Sequence, residues 1–520
     1  MASFEEFSVT RSKNPSRFGM VGALVVFSVF MVNYQGPAAT PSDARMFVPG
    51  MFLAERPVRI LDQEGTEILV NVPKRAPDSV TALGPGSTAT GDQCIGAAVI
   101  LAVPLRLFGP AGAHLLYAVI PALLSLLMYG MTARVFGRRW LAFCAQLLAT
   151  VNPFMLSYQN LHPAFIAATL VAAIMYLLVD PARHYLLLGM LFGALVSVEN
   201  EALVFAPVII LMLATDRKAV IPVRLTDGVF ALVGFILALA PALYWKELAF
   251  GSILVHPRQV LPGGGTHFSH SVLGWHFHSA ALFNYPLQAG VVRTPHFPFP
   301  TFLGMPMALA RGFGLFFAAT FFLGVGPLHR EDRRLARFFV ALVVVTFLWW
   351  GFQENWDERR MAIAMLIVPA AVLLMSAGLL RFARISTLRA NLIGLGVVTG
   401  VLLVMIKGTF FMEFPVDPRW NELHPDAVQN LSGLDGLPGD QRLEAVFHTT
   451  SETRDELVLE KARFAPGNFM PRAYLPTRWT PGESLRRFLD TFLAPDVSPA
   501  VPRDLLGPLP RGTTDPEESG

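Results

Sequence analysis

The chain alternates long apolar runs with short polar or basic stretches. A surface helix of a soluble protein carries an apolar stripe, whereas these runs are apolar all round. A bilayer core needs about 20 apolar residues per helix, fewer where protein shields the ends. On that measure the runs at 18–34, 112–133, 140–158, 163–179, 184–198, 201–215, 226–249, 303–327, 337–352, 361–380 and 391–411 predict membrane spans. The pair 184–198 and 201–215 is short, so each reads as a half-span, or both together as one re-entrant hairpin. The first run, Phe18–Tyr34, follows Arg11, Lys13 and Arg17. Its long core, with no convincing cleavage site after it, reads as an uncleaved anchor. Gln93–Gly109 holds Pro104 and is closed by Arg106. It is too short for a free span and reads as an interfacial helix packed on the outer surface. The spacings Gly189-x-x-x-Gly193 and Gly396-x-x-x-Gly400 allow close helix packing.

Orientation follows from Lys and Arg in the short loops. Arg134, Arg138 and Arg139 share one loop, and Arg217, Lys218 and Arg224 a second. Arg330, Arg333, Arg334 and Arg337 come next, then Arg381, Arg384 and Arg389. About eleven spans with the N-terminus inside put all four clusters on the cytoplasmic side. The expected fold is therefore an all-α polytopic protein of the cytoplasmic (inner) membrane. Residues 1–17 form a cytoplasmic N-terminus and 18–411 the transmembrane domain. Residues 35–111 form a first external loop with interfacial helices, and 250–302 a long external loop. From 412 the composition changes sharply, to Pro, Asp, Glu and Arg punctuated by Trp420, Phe447 and Trp479. Residues 412–506 read as a small extracytoplasmic region, and 507–520 as a disordered tail.

Composition agrees and excludes several classes. The chain is 53% hydrophobic and 15% charged, against about 25% charged in ordinary soluble proteins. The net charge of +3 gives no footprint for nucleic acid. Cys94 and Cys144 are too few for a disulfide framework. The sequence holds no Gly-x-x-x-x-Gly-Lys-Ser/Thr loop, Gly-x-Gly-x-x-Gly, His-Glu-x-x-His or Cys-x-x-Cys. The predicted spans carry few charges, while a coupled transporter keeps ionisable residues deep in its helices. Polar residues gather instead at the outer ends of the spans.

Asp43, in Pro41-Ser42-Asp43-Ala44-Arg45, lies nine residues past the first span and so stays near the membrane surface. A carboxylate there is able to take a proton from an acceptor hydroxyl, or to cap the helix that carries Met46–Ala54. Arg359 and Arg360 open the tenth span and Arg311 lies within the eighth. These cations suit a lipid phosphate, or serve as interfacial anchors and, for Arg311, as a salt-bridge partner. Glu199 and Glu201 sit at the apex of the two short helices, as cavity acids or as helix caps. Loop 250–302 holds six of the twelve histidines, with the spacings His267-x-x-His270 and His276-x-His278. No cysteine joins them, and the Gly263-Gly264-Gly265 run implies a mobile loop rather than a closed ligand shell. Phosphate or sugar hydrogen bonding and plain loop surface both suit them better than zinc.

Several segments, in order, resemble the GT-C superfamily of polyprenyl-phosphate-sugar-dependent membrane glycosyltransferases, the group of the protein mannosyltransferases and aminoarabinose transferases. The first is the membrane-proximal Asp43 followed by a helix and a long loop. LGPGSTATGDQCIGAAVILAVPLRLFGPAGAHLLYAVIPALL resembles the family's Gly/Pro-led interfacial helix and next span, and RVFGRRWLAFCAQLLATVNPFMLSYQN its basic turn and following span. LARGFGLFFAATFFLGVGPL, with Arg311, resembles an Arg-Gly-Leu-Phe segment, and WWGFQENWDERRMAIAMLIVP a Trp-Trp-Gly segment followed by Arg. The resemblance covers roughly residues 18–410. It implies a polyprenyl-phosphate-linked sugar as donor, a glycan, lipid or protein acceptor, and membrane lipids as surroundings. It also implies Asp43 as catalytic base in an inverting transfer, with Arg311, Arg359, Arg360, His267 and His270 on the donor phosphate. Two departures matter. Relatives often carry a second acidic residue in the short loop after the third span, where this chain reads Tyr158-Gln159-Asn160-Leu161-His162. Glu199 also stands where relatives often have Arg. No cofactor is assigned: the resemblance admits a divalent metal, but without that second carboxylate no ligand set is named. The competing readings are a non-enzymatic flippase for a lipid-linked glycan and an inactive GT-C-like scaffold.

Overall fold

The computed structural model describes residues 17–34, 41–56, 58–61, 67–70, 95–152, 155–156, 161–179, 184–214, 221–250, 320–351, 358–383, 396, 481–493 and 500–502. The first run is α1 (Arg17–Asn33), followed by α2 (Pro41–Leu53) and two short strands, β1 (Val58–Leu61) and β2 (Glu67–Val70). Next come α3 (Ile95–Phe108), α4 (Ala111–Phe136) and α5 (Arg139–Thr150), then α6 (Pro163–Val179) and α7 (Tyr185–Val198). A 3-10 turn over Asn200–Phe205 leads into α8 (Ala206–Ala214), and α9 spans Ile221–Phe250. Residues 320–331 form α10, which meets α11 (Arg333–Gly351), and α12 covers Glu358–Ala383. From the C-terminal region come α13 (Pro481–Leu493) and β3 (Ala500–Pro502). The predicted span 391–411 lies outside the described residues apart from Gly396.

Helices α1, α4, α5 and α6 form the core of the bundle, with α12 against α5 and α6. α1 and α4 run antiparallel: Gly19 lies against Tyr129 at one end, and Phe30 meets Tyr117 at a tilt near the other. Near the Gly19 end, Gln146 of α5 donates from Nε2 to the Gly19 carbonyl at 2.8 Å and to Ser125 Oγ at 3.1 Å. These buried polar contacts satisfy groups that would be costly to leave bare in an apolar interior. One end of this bundle gathers Arg17, Arg134, Arg138 and Arg139. There Arg134 sits over the Tyr176 ring at 4.3 Å, and Gly137, at φ +67°, ends α4 with its N–H on the Ala133 carbonyl. This end is called the basic end below, and the opposite one the far end.

The small residues predicted to allow close packing do so at Gly189 and Gly193. A Cβ at either would overlap a carbonyl of α9, that of Ala231 or of Phe235. These pairings, with Phe192 stacked on Phe235 at 5.4 Å, make α7 and α9 run in the same direction. α8 is the short return between them, and it packs against α11.

Among the described residues, two helical stretches are long and apolar enough to cross a bilayer unaided, Ala111–Phe136 and Leu225–Tyr244. The first is largely buried. The second turns Leu225, Val229, Phe230, Leu232, Val233, Ile236 and Leu237 outward, a surface that only lipid or another protein would cover. Arg17–Asn33, Pro163–Val179 and Tyr185–Val198 are apolar but shorter. α1 is an integral part of the core. Cys144 is a free, buried thiol, and Cys94 lies outside the described residues.

The helix-only reading omits one feature. β1 pairs antiparallel with β2, and its other edge takes β3 in parallel register, Arg59 opposite Ala500 and Leu61 opposite Pro502. Four-residue strands in the first loop and a three-residue strand some 430 positions later carry no periodic signal of their own. The pairing ties the C-terminal region directly to the first loop.

Candidate functional site

The far end of the bundle is built around the end of α1. The last four carbonyls of a helix have no intrahelical partner. Here two of the exposed groups at the α1 terminus are met from distant parts of the chain. His114, in the first turn of α4, donates from Nε2 to the Met31 carbonyl at 2.8 Å, so that nitrogen carries the proton. Ser484 of α13 shares its hydroxyl proton between the carbonyls of Tyr34, at 2.6 Å, and Met31, at 3.1 Å. Asn33 donates from Nδ2 to Tyr117 Oη at 2.9 Å and to the Leu156 carbonyl at 3.2 Å. Rings fill the space between: Tyr34 lies 4.4 Å from His114, Phe165 meets Tyr117 edge-on at 5.7 Å, and Phe488 meets His114 edge-on at 5.1 Å. The cluster pins the point where the chain leaves α1.

Ten residues past the end of α1 is Asp43. Its backbone lies in the first turn of α2, the third residue of a helix that begins at Pro41. α2 is held down by buried Met46, Phe47, Val48, Met51 and Phe52, and its Gly50 lies against Leu101 and Leu105 of α3. At the C-terminal end, Arg106 pairs with Glu55 at 3.5 Å, an exposed pair of little energetic weight. Arg56 also donates to the Arg106 carbonyl at 3.2 Å. The segment expected to be interfacial is thus helix α3. Its face bearing Ile95, Gly96, Ala97, Ala98, Leu101 and Leu105 is buried, while Val99, Val103 and Leu107 face outward.

Glu199 ends α7, its N–H on the Leu195 carbonyl and its own carbonyl accepting from Ala202. Glu201 follows inside the 3-10 turn. α3 links this corner to the first loop, for Gly96 at its start lies against Ser197. Arg359 and Arg360 occupy the first turn of α12. Arg311, His267 and His270 lie outside the described residues. Among the described residues no three His, Cys, Asp or Glu side chains gather to hold a metal ion.

His162 fills the short loop where the sequence shows no carboxylate. It is buried, and its Nδ1 accepts the Ala164 N–H at 3.1 Å, capping the start of α6. Burial pushes its ring down to about 3, so it stays neutral. The sequence reading gave it no role of its own, and passed over His114 and Ser484. His114 lies inside an apolar run, and Ser484 in a distant amphipathic helix; neither announces its partner.

No family model matches the chain, and no curated protein matches it either. Its structure is similar to the crystal structure of ArnT from Cupriavidus metallidurans bound to undecaprenyl phosphate. The similarity covers 90% of this chain and 77% of that one, with a TM-score of 0.50 and 14% identical residues. At that identity the likeness is one of fold. The chain shares the fold of that protein.

Proposed function

We propose that the protein transfers a sugar from a polyprenyl-phosphate donor to an acceptor hydroxyl on the extracytoplasmic face of the inner membrane. The observation that carries the reading is the fold shared with ArnT over 90% of the chain, in a protein whose sequence puts a carboxylate just past the first span. That neighbour holds undecaprenyl phosphate in its crystal structure, a lipid of the class the donor requires. Eleven crossings with the N-terminus inside fit the common end of Arg17, Arg134, Arg138 and Arg139, because basic loops stay cytoplasmic. The far end then faces outward.

Asp43 takes the proton of the acceptor hydroxyl. The oxygen attacks the anomeric carbon from the face opposite the lipid phosphate, the bond to that phosphate breaks, and configuration inverts. The departing phosphate keeps the bonding electrons and is held by Arg311, Arg359 and Arg360, with His267 and His270 as further donors. Glu199 and Glu201 are the further candidate acids of the donor site. A site closed by the first loop, loop 250–302 and segment 351–360 would exclude water, so that transfer outruns hydrolysis.

The test is Asp43→Asn and Asp43→Ala in purified protein, scored for transfer from a radiolabelled polyprenyl-phosphate sugar. Loss of a general base costs about 10²–10⁴-fold in rate. Both variants should fold and lose transfer on that scale. Full transfer by both overturns the mechanism.

A further inference from the structure

The C-terminal helix α13 carries three faces. Ser484 and Phe488 face the bundle, the first on the α1 carbonyls and the second on His114. Arg486 and Asp490 form a polar face, paired at 3.9 Å, with Arg487 beside them. The third face is apolar and outward: Leu485 is 42% exposed, Leu489 54%, Phe492 46% and Leu493 78%. At 100° per residue these four fall within one arc of the helix, bordered by the docked face on one side and by Arg486 on the other. The arc runs on into α3, because Phe492 stacks on Phe108 at 6.4 Å and Val103 and Leu107 beside it are also exposed.

We propose that this ledge rests on the lipid bilayer, so that α13 is an interfacial helix anchoring the C-terminal region to the outer leaflet. Depth decides the occupant. α13 is fixed to the last residues of α1, an apolar helix of 17 residues and hence about 25 Å long, whose other end carries Arg17. A hydrocarbon core is about 30 Å thick, so a helix hydrogen-bonded to the end of such a span lies at the boundary of acyl chains and headgroups. Amphipathic helices rest at that level with their apolar side in the chains and their basic side at the headgroups; in α13 Arg486 borders the apolar arc and Arg487 lies opposite it. The exposed apolar face of α9 is a second surface of the same bundle that lipid would cover. The inference rests on the membrane fold and holds whether or not the protein transfers a sugar.

The experiment uses the full chain in nanodiscs of phosphatidylethanolamine and phosphatidylglycerol, with Cys94→Ala and Cys144→Ala as background. Nitroxide labels are placed singly through Leu489→Cys, Leu493→Cys and Asp490→Cys. Collision with dissolved oxygen, which concentrates in lipid, is compared with collision with a water-soluble nickel chelate. Oxygen should dominate at 489 and 493 and the chelate at 490. Chelate dominance at 489 and 493 overturns the proposal by putting the ledge in water. Poor access of both reagents at those positions overturns it as well, because protein then covers the face. Leu485→Cys and Leu107→Cys read the same ledge should a label at 489 or 493 disturb folding, with the same criteria.

Discussion

The double cap on α1 gives a quantitative prediction. The Met31 carbonyl is met by two donors, His114 and Ser484, and the Tyr34 carbonyl is met by Ser484 as well. Ser484→Ala removes one hydroxyl from a buried position. His114→Phe removes the other donor while keeping a ring against Tyr34 and Phe488. A buried hydrogen bond whose acceptor keeps another partner is worth about 0.5–1.5 kcal/mol, so each variant should cost about that much. The two changes are coupled, because each single variant leaves Met31 its other donor and the pair leaves it neither. Groups sharing one network show interaction energies of about 0.5–3 kcal/mol, and the double variant should exceed the sum of the singles by an amount in that range. Denaturation of the purified protein in one fixed detergent, followed by intrinsic fluorescence, measures all four members of the cycle. Ser484→Thr keeps the hydroxyl and should recover most of the loss. Additive singles, or a Ser484→Ala protein as stable as the parent, would show that α13 does not cap α1.

Three further outcomes follow from the same geometry. His162 has its ring held down to about 3 by burial against about 6.5 when unfolded, so the folded chain binds fewer protons below pH 6.5. Stability is therefore full above that value and falls as pH drops towards 3, by about 3 kcal/mol at pH 4.5; His162→Asn, which keeps an acceptor for the Ala164 N–H, should flatten this part of a melting-against-pH curve. Gly189→Val sets a branched side chain against the Ala231 carbonyl and should loosen α7 from α9, read as a melt lowered by more than Gly228→Val, whose site is open. Asp332 caps α11 through its Oδ1 on the Leu335 N–H at 3.0 Å, and Asp332→Ala should cost about 0.5–2 kcal/mol in the same assay.

The bundle was legible because burial in a bilayer leaves a one-dimensional mark. Uninterrupted apolar runs located α1, α4, α6, α7 and α9 to within a few residues of the observed ends, and the paired glycines on α7 foretold the close approach to α9. Arg106 and Pro104 marked the end of α3, which the structure closes at Phe108. What stayed hidden depends on partners distant in sequence. β1, β2 and β3 are too short to have a period, and their pairing is decided by where the first loop and residue 500 are brought together. Ser484 reads as a surface serine in an amphipathic helix until α13 is docked. His162 was noticed only for what its loop lacks. Of the site residues named from sequence, the structure places the backbones of Asp43, Glu199, Glu201, Arg359 and Arg360 at helix starts or helix ends, while Arg311, His267 and His270 lie outside the described residues.

The attachment of the C-terminal region bears on how one carboxylate is held. Seven residues, 34–40, separate the last residue of α1 from Pro41 at the start of α2. A linker that short transmits any fraying of its upstream helix, because a helix terminus with bare carbonyls unwinds readily. Capping Met31 and Tyr34 from α4 and α13 removes that freedom, and the β1–β3 pairing fixes the chain again on the far side of α2. The segment bearing Asp43 is thus clamped before and after, in each case by the region after residue 480. If Asp43 is the base, Ser484→Ala should lower turnover more than donor binding, since a base displaced by about 1 Å loses far more rate than affinity. In an Asp43→Asn background, Ser484→Ala should make no further difference to turnover, because a base already lost has no position left to disturb. Equal fractional losses from Ser484→Ala with and without the Asp43 carboxylate would reduce the cap to a purely structural part.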